Sequence, residues 1–222
     1  MQTNPKDLSH KRVLGVAIPI VLANATIPIL GAVDTAVVGQ LGLAVPIGAV
    51  GIGAIIITAI YWLFGFLRMG TTGLAAQAIG SGDKPETSAL LVRGVIIGFT
   101  AGLILIIAQV PIFLGALQLS PASMEVESLA QKYLQIRVYS APAAIALFGI
   151  TGWLIAKEKT RAVLLLQLIL NGINIALDLV FVLKLGWGVE GVAIATLIAE
   201  WSGLIFGLWL AREGFNNGYW KN

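Results

Sequence analysis

Residues Leu41–Leu67, Gly94–Met124 and Val138–Ala156 contain no Asp, Glu, Lys or Arg. A helix needs about 20 apolar residues, rising 1.5 Å each, to cross the hydrocarbon of a bilayer, and a charge-free run of about 18 already marks a candidate. Three such runs in a chain of 222 residues exclude a water-soluble domain. The composition follows from the same fact. Charged residues make up 11% of the chain, less than half of the roughly 25% that keeps a soluble surface wet. No cysteine is present, which rules out disulfides and thiolate metal sites. The one histidine, His10, precedes the first apolar stretch, so no histidine chemistry is available inside the membrane. Lys6, Lys11 and Arg12 precede an apolar stretch from Val13 to Val33. That stretch is longer than a signal-peptide core and runs on into more membrane sequence, so a retained first helix is expected.

Punctuation by Gly, Pro and charge predicts an all-α membrane protein of six transmembrane helices, near 13–40, 45–79, 89–117, 127–156, 161–184 and 189–211. The connectors are short and no linker divides the chain, so residues 1–222 are expected to form one bundle. With the N-terminus inside, eleven of the 14 Lys and Arg fall on the inner side: Lys6, Lys11, Arg12, Arg68, Lys84, Arg93, Lys157, Lys159, Arg161, Arg212 and Lys221. Only Lys132, Arg137 and Lys184 fall outward. This positive-inside bias places both termini in the cytoplasm and the protein in the cell's inner membrane. It also explains the basic pI of about 9.3 without a nucleic-acid partner.

Ionisable groups at membrane depth are costly and mark function by default. Asp34, Asp178 and Glu200 are the three acids so placed. Counting from the inner ends, Asp34 lies about 31 Å along the first helix and Asp178 about 25 Å along the fifth, so both belong to the outer half. Gln167, Asn171, Asn174 and Asp178 fall within an arc of about 60° at 100° per residue. Such a stripe cannot face lipid and must face protein or water. Thr196 and Glu200 form a shorter stripe with Gly203 and Gly207, whose small size admits close helix packing. Hydrogen bonding between helices would account for Gln167 or Thr196 alone; two carboxylates with an asparagine between them point to a proton or cation site. Pro19 and Pro28 stand in the helix that bears Asp34, either as static kinks or as a hinge. Arg68 is expected to snorkel from the inner end of the second helix, and Arg137 has a more interior position from which it could pair with an acid.

Pro19-Ile20 followed by Leu30–Gly39 (LGAVDTAVVG) resembles the first helix of the multidrug and toxic compound extrusion (MATE) transporters. Arg68–Gly80 (RMGTTGLAAQAIG) is similar to the end of their second helix, and Asn171–Asp178 and Gly188–Glu200 to their fifth and sixth. The Arg68–Gly73 run and Tyr133–Arg137 (YLQIR) look most like the DinF branch. The resemblance implies an antiporter that exports organic, often cationic, compounds against protons or sodium. It implies Asp34, Asn174, Asp178 and Thr196 as the coupling residues. Gln167, Asn171, Glu200 and either Tyr133 or Tyr139 would line the cavity, and Pro19, rather than Pro28, would be the bend. No cofactor is implied beyond the coupling ion. MATE transporters have twelve helices in two lobes, so the resemblance implies that a C-terminal six-helix lobe is the missing partner.

Two further readings compete. A lipid-precursor flippase of the same superfamily would call for a wide cavity lined by Arg and Lys, which the sequence lacks. A non-transporting membrane fragment that needs a second lobe is the other, because alternating access requires two moving bodies. An intramembrane enzyme is disfavoured: there is no HExxH, His10 is misplaced, and neither Asp34 nor Asp178 is flanked by glycine.

Overall fold

A computed structural model describes residues 10–119 and 122–215. Lys6 and Lys221, which contribute to the expected charge bias, lie outside the described residues. Within them the chain is helical throughout: α1 (His10–Gly39), α2 (Ala44–Trp62), α3 (Gly65–Gly80), α4 (Lys84–Ile107), α5 (Gln109–Leu119), α6 (Met124–Arg137), α7 (Ala141–Ala156), α8 (Thr160–Asp178) and α9 (Gly188–Leu210). Six segments are long and apolar enough to cross a membrane, as expected: His10–Gly39, Ala44–Gly80, Lys84–Ile107, Met124–Ala156, Thr160–Lys184 and Gly188–Leu210.

The boundaries depart from expectation where local chemistry intervenes. The third crossing starts earlier than residue 89, because Asp83 Oδ1 accepts the Glu86 backbone N–H at 2.9 Å and Pro85 occupies the first turn. It does not run unbroken to residue 117. Pro111 offers no N–H to the Ile107 carbonyl and its ring crowds that carbonyl, so α4 ends at Ile107 and α5 begins afresh at Gln109. The fourth crossing tightens to a 3-10 turn at Val138–Ser140 ahead of Pro142 for the same reason. By contrast, α1 passes through Pro19 and Pro28 as one helix of 30 residues. Beyond Asp178 the fifth crossing widens into a π-helical turn, Leu179–Lys184. Such turns are rare and recur beside functional residues.

The fourth crossing is the hub, with 72% of its apolar window buried against 12% for α1 at the rim. The tightest contact is α4 against α7, and glycine makes it possible. Gly94, Gly98 and Gly102 repeat every fourth residue along one face of α4. A Cβ on Gly98 would stand 2.7 Å from the Ala146 backbone, and one on Gly149 would stand 2.8 Å from the carbonyl carbon of Gly94. The two backbones touch there, the arrangement by which membrane helices gain packing energy without a hydrophobic driving force. On α9, Gly203 and Gly207 admit Leu170 of α8 and Leu147 and Ile150 of α7, as their place on one face suggests.

At one end of the bundle the turn Lys157–Lys159 gathers both extremities of the described chain. Glu158, with φ of 56°, pairs with Arg12 of α1 at 2.8 Å. Glu213, just beyond α9, takes Lys157 and Lys159 together. Partial burial would raise the Glu213 carboxyl, but hydrogen bonds from the two lysines outweigh it and hold the group below its ordinary value. The backbone clash at the α4–α7 contact gives a matched test. Gly98→Ala must push two backbones apart and is expected to cost about 1–3 kcal/mol, read as a lower melting temperature in detergent. Gly115→Ala, whose Cβ would meet nothing within 4 Å, should leave the melting temperature unchanged or slightly raised.

Candidate functional site

Polar side chains of five helices meet inside the apolar bundle. The face of α8 that carries the polar stripe turns toward α1, and the two helices are joined along its length. Gln167 Nε2 donates to Asn171 Oδ1 at 3.0 Å, and Asn171 Nδ2 donates onward to the Thr26 carbonyl of α1 at 3.3 Å. One turn further, Asn174 and Asp178 are fully buried and Asp34 of α1 is 8% exposed. The Asp34 and Asp178 carboxyls flank the same amide atom of Asn174, Asp34 Oδ1 at 3.1 Å and Asp178 Oδ2 at 3.3 Å. The sequence expectation that these two acids share a depth therefore agrees with their placement.

Asn174 sits between the two acids and Thr196 of α9, and its amide has two possible orientations. With nitrogen toward the acids it donates to Asp34 Oδ1 at 3.1 Å and Asp178 Oδ2 at 3.3 Å, while its oxygen accepts from Thr196 Oγ1 at 3.0 Å and the Thr196 N–H at 3.2 Å. Reversed, Nδ2 donates to Thr196 Oγ1 at 3.0 Å and the oxygen faces the carboxyls. An amide oxygen against carboxylate oxygens is repelled unless a proton or a cation lies between them, so the first orientation suits ionised acids and the second suits acids that carry a proton. Thr196 Oγ1 serves both orientations, accepting in one and donating in the other, and in the second it donates to the Val192 carbonyl at 3.0 Å. Asp178 Oδ1 is buried with no hydrogen-bond partner. A buried acceptor left free is costly, and its free lone pairs make it the natural place for a proton or a small hard cation.

A second polar group adjoins the first. Arg137 of α6 holds Glu200 of α9 in a two-pronged pair, Nη1 to Oε2 and Nη2 to Oε1, both at 3.1 Å. Arg137, counted with the outward charges yet expected to sit in the interior within reach of an acid, is buried with 7% of its side chain exposed, and Glu200 is the acid that supplies its counter-charge. Glu200, expected along the cavity, is committed to this pair. Tyr133, 2% exposed, packs its ring on Gly53 of α2 beside Arg137. Tyr139 is 52% exposed, and its carbonyl accepts from Trp201 Nε1 at 3.0 Å, so of the two tyrosines it is Tyr133 that joins the polar cluster.

Two members of the cluster escaped the sequence. Tyr61 of α2 donates to the Arg137 carbonyl at 3.2 Å and lies 3.3 Å from Ser140 Oγ, which in turn accepts from Arg137 Nη1 at 2.8 Å. The i, i+3 spacing of Arg137 and Ser140 was a readable signal; a tyrosine in a charge-free run gave none. Arg68 is half-buried beside α1. Both of its terminal nitrogens reach Asn24 Oδ1 of α1 at 3.4 Å, between the two prolines.

Comparison with known proteins agrees with the fold. The MatE family pattern matches residues 19–180. The chain is 38% identical over 205 residues to DNA damage-inducible protein F of Escherichia coli K12, a match covering 92% of this chain and 45% of that protein. It is 28% identical to protein DETOXIFICATION 44 of Arabidopsis thaliana, covering 95% of this chain and 44% of that one. Among solved structures, a MOP superfamily transporter from Pyrococcus furiosus superposes with a TM-score of 0.82 at 25% identity, over 90% of this chain and 44% of the other. The chain thus spans about half the length of the curated relatives it matches. It belongs to the MatE family of multidrug and toxic compound extrusion transporters, on the DinF-like side of that family.

Proposed function

We propose that the chain is the N-terminal lobe of a MATE-type antiporter, in which a proton or a sodium ion bound at Asp34 and Asp178 drives export of an organic compound. One observation carries the reading: two carboxyls from different helices meet around one buried asparagine amide inside the bundle. Two carboxylates in contact cannot both stay ionised away from water without a cation or a proton between them. Binding an ion therefore removes charge from the α1–α8 contact, and releasing it restores that charge. For a transported proton, Asp178 Oδ1 is the free acceptor. For sodium, oxygens of Asp34, Asn174, Asp178 and Thr196 form a hard donor set of the kind such ions take. Gln167 and Asn171 are spent on the α1 contact rather than on an open wall, so on this reading their part is to guide α1.

Export needs a second body. The relatives are about twice as long, and α1 presents most of its surface outward. We place both termini in the cytoplasm, at the end where Lys11, Arg12, Lys84, Arg93, Lys157, Lys159, Arg161 and Arg212 collect; Lys132 and Lys184 mark the opposite end. Arg137, turned inward by Glu200, belongs to neither end.

Three outcomes test this. In a two-lobe protein carrying this chain, Asp34→Asn or Asp178→Asn should reduce ion-driven efflux to background while insertion is retained; normal efflux from a well-expressed variant would sink the assignment. The purified 222-residue chain alone, in vesicles under a proton or sodium gradient, should insert yet move no substrate. Gradient-driven flux that vanishes in Asp34→Asn would instead make the half a transporter by itself. Reporter fusions after Asn222 should read cytoplasmic, and those at 122–125 external; an external C-terminus would refute the topology.

A further inference from the structure

Arg68 is the arginine inside a crossing for which the described residues supply no acid. Arg12 pairs with Glu158, Arg93 with Glu86 and Arg137 with Glu200, whereas no carboxylate among the described residues pairs with Arg68. Arg161 and Arg212 stand at helix ends, where water serves. The two terminal nitrogens of Arg68 share one neutral acceptor, Asn24 Oδ1, at 3.4 Å each, long for a charged donor. Asn24 stands at the middle of α1, about 22 Å along the axis from either end. A guanidinium keeps its charge in any protein setting, so it cannot escape the cost of that position by losing a proton. Headgroup phosphates lie far from that level, across half of a hydrocarbon layer about 30 Å thick. The root of Arg68 is fixed. Thr72 Oγ1 donates to the Arg68 carbonyl at 2.7 Å and lies 3.2 Å from the Gly152 carbonyl of α7, and a Cβ on Gly152 would stand 2.5 Å from the Arg68 carbonyl oxygen. Its head is less confined, since Arg68 is only half-buried and Asn24 is exposed. Val21, one turn before Asn24, and Phe66 and Met69, on either side of Arg68 in the chain, are exposed apolar side chains.

We propose that Arg68 and Asn24 form a binding site for the acidic group of an amphipathic organic anion, a carboxylate or sulfonate on an apolar body. This rests on the reading of the chain as half of an exporter and names a chemical class for its cargo. The planar fork of a guanidinium matches a carboxylate bidentately, and the pair is felt more strongly away from water. The Asn24 amide nitrogen is a further donor to the same anion. The exposed apolar side chains of α1 and α3 offer cover for the body of such a ligand. A free inorganic anion has no apolar surface to bring, and a lipid headgroup sits too near the membrane surface. An acid fixed in a second lobe would make another permanent ion pair of the Arg137–Glu200 kind. Arg68 instead keeps a weak neutral partner that an arriving acid displaces.

The test uses the full 222-residue chain in phosphatidylcholine nanodiscs, titrated with naphthoate and with naphthamide, which share one apolar body and differ in charge. Uptake by protein-free discs is subtracted. Naphthoate should bind saturably and more tightly than naphthamide. Arg68→Gln should weaken naphthoate binding about tenfold or more and leave naphthamide unchanged. Asn24→Asp supplies the missing acid from within the chain. It should lose naphthoate binding as Arg68→Gln does while its melting temperature holds or rises, so the outcome does not hinge on whether Arg68→Gln folds. Equal affinities for the two probes overturn the proposal, as does naphthoate binding that survives both substitutions. Adding phosphatidylglycerol to the discs should leave the difference between parent and Arg68→Gln in place; its disappearance would assign the anion to lipid and overturn the proposal. The same difference should persist in a two-lobe protein carrying this chain, and its disappearance there would give Arg68 to an acid of the second lobe and overturn the proposal too. Binding is measured without transport, so a failed titration leaves Asp34 and Asp178 as coupling acids, whereas normal ion-driven efflux from Asp34→Asn sinks the coupling assignment and leaves the anion titration standing.

Discussion

Within a bilayer no water is at hand to solvate a stray polar group, so each one must find its partner inside the protein. This chain carries Asp34, Arg68, Arg137, Asp178 and Glu200 in its crossings, and their pairing dictates which helices face which. The α8 stripe turns toward α1 because Asn171, Asn174 and Asp178 have no other permitted direction; α6 and α9 are joined by the Arg137–Glu200 pair. Apolar packing then fills the remaining space on either side of the polar group. Between them the two core clusters enlist nearly every helix, one centred on Tyr133, Leu134 and Val192, the other on Leu91, Ile150 and Trp153.

Two kinds of interface result. The α4–α7 contact is backbone on backbone, enforced by glycines spaced every fourth residue, and leaves no slack. The α1–α8 contact is instead a series of side-chain hydrogen bonds with an acid pair near its far end, in a helix that is otherwise little covered. Of the two prolines of α1, Pro19 is buried and Pro28 is exposed, and the helix is continuous through both.

The architecture was legible because its cause is a bulk property: runs without charge make crossings, and Asp34, Asn174, Asp178 and Thr196 stood out as polar residues where none is tolerated idly. The interruptions of the second, third and fourth crossings were less visible. Pro111 and Pro142 are explicit in the sequence, but each breaks the helix three or four residues upstream of itself, and the break between α2 and α3 has no proline at all. Arg137 was legible as an interior residue able to pair with an acid, but its partner was not. Counting residues along a helix gives depth but not facing, and only tertiary proximity reveals that Glu200, in another crossing, holds it inside. The glycine repeat on α4 was readable, but its partner on α7, built on Ala146 and Gly149, is not implied by any local pattern.

The length of α1 has a further consequence. Thirty helical residues extend about 45 Å, whereas the hydrocarbon they cross is about 30 Å thick. A helix too long for its membrane tilts, and the tilt follows the thickness of the lipid around it. In this chain that helix lies at the rim of the described bundle, little buried, and it carries Asp34 to the Asn174–Asp178 end of α8. Hydrophobic mismatch thus reaches the acid pair through geometry alone, since the angle at which α1 meets α8 is also the angle at which Asp34 is presented to Asn174 and Asp178.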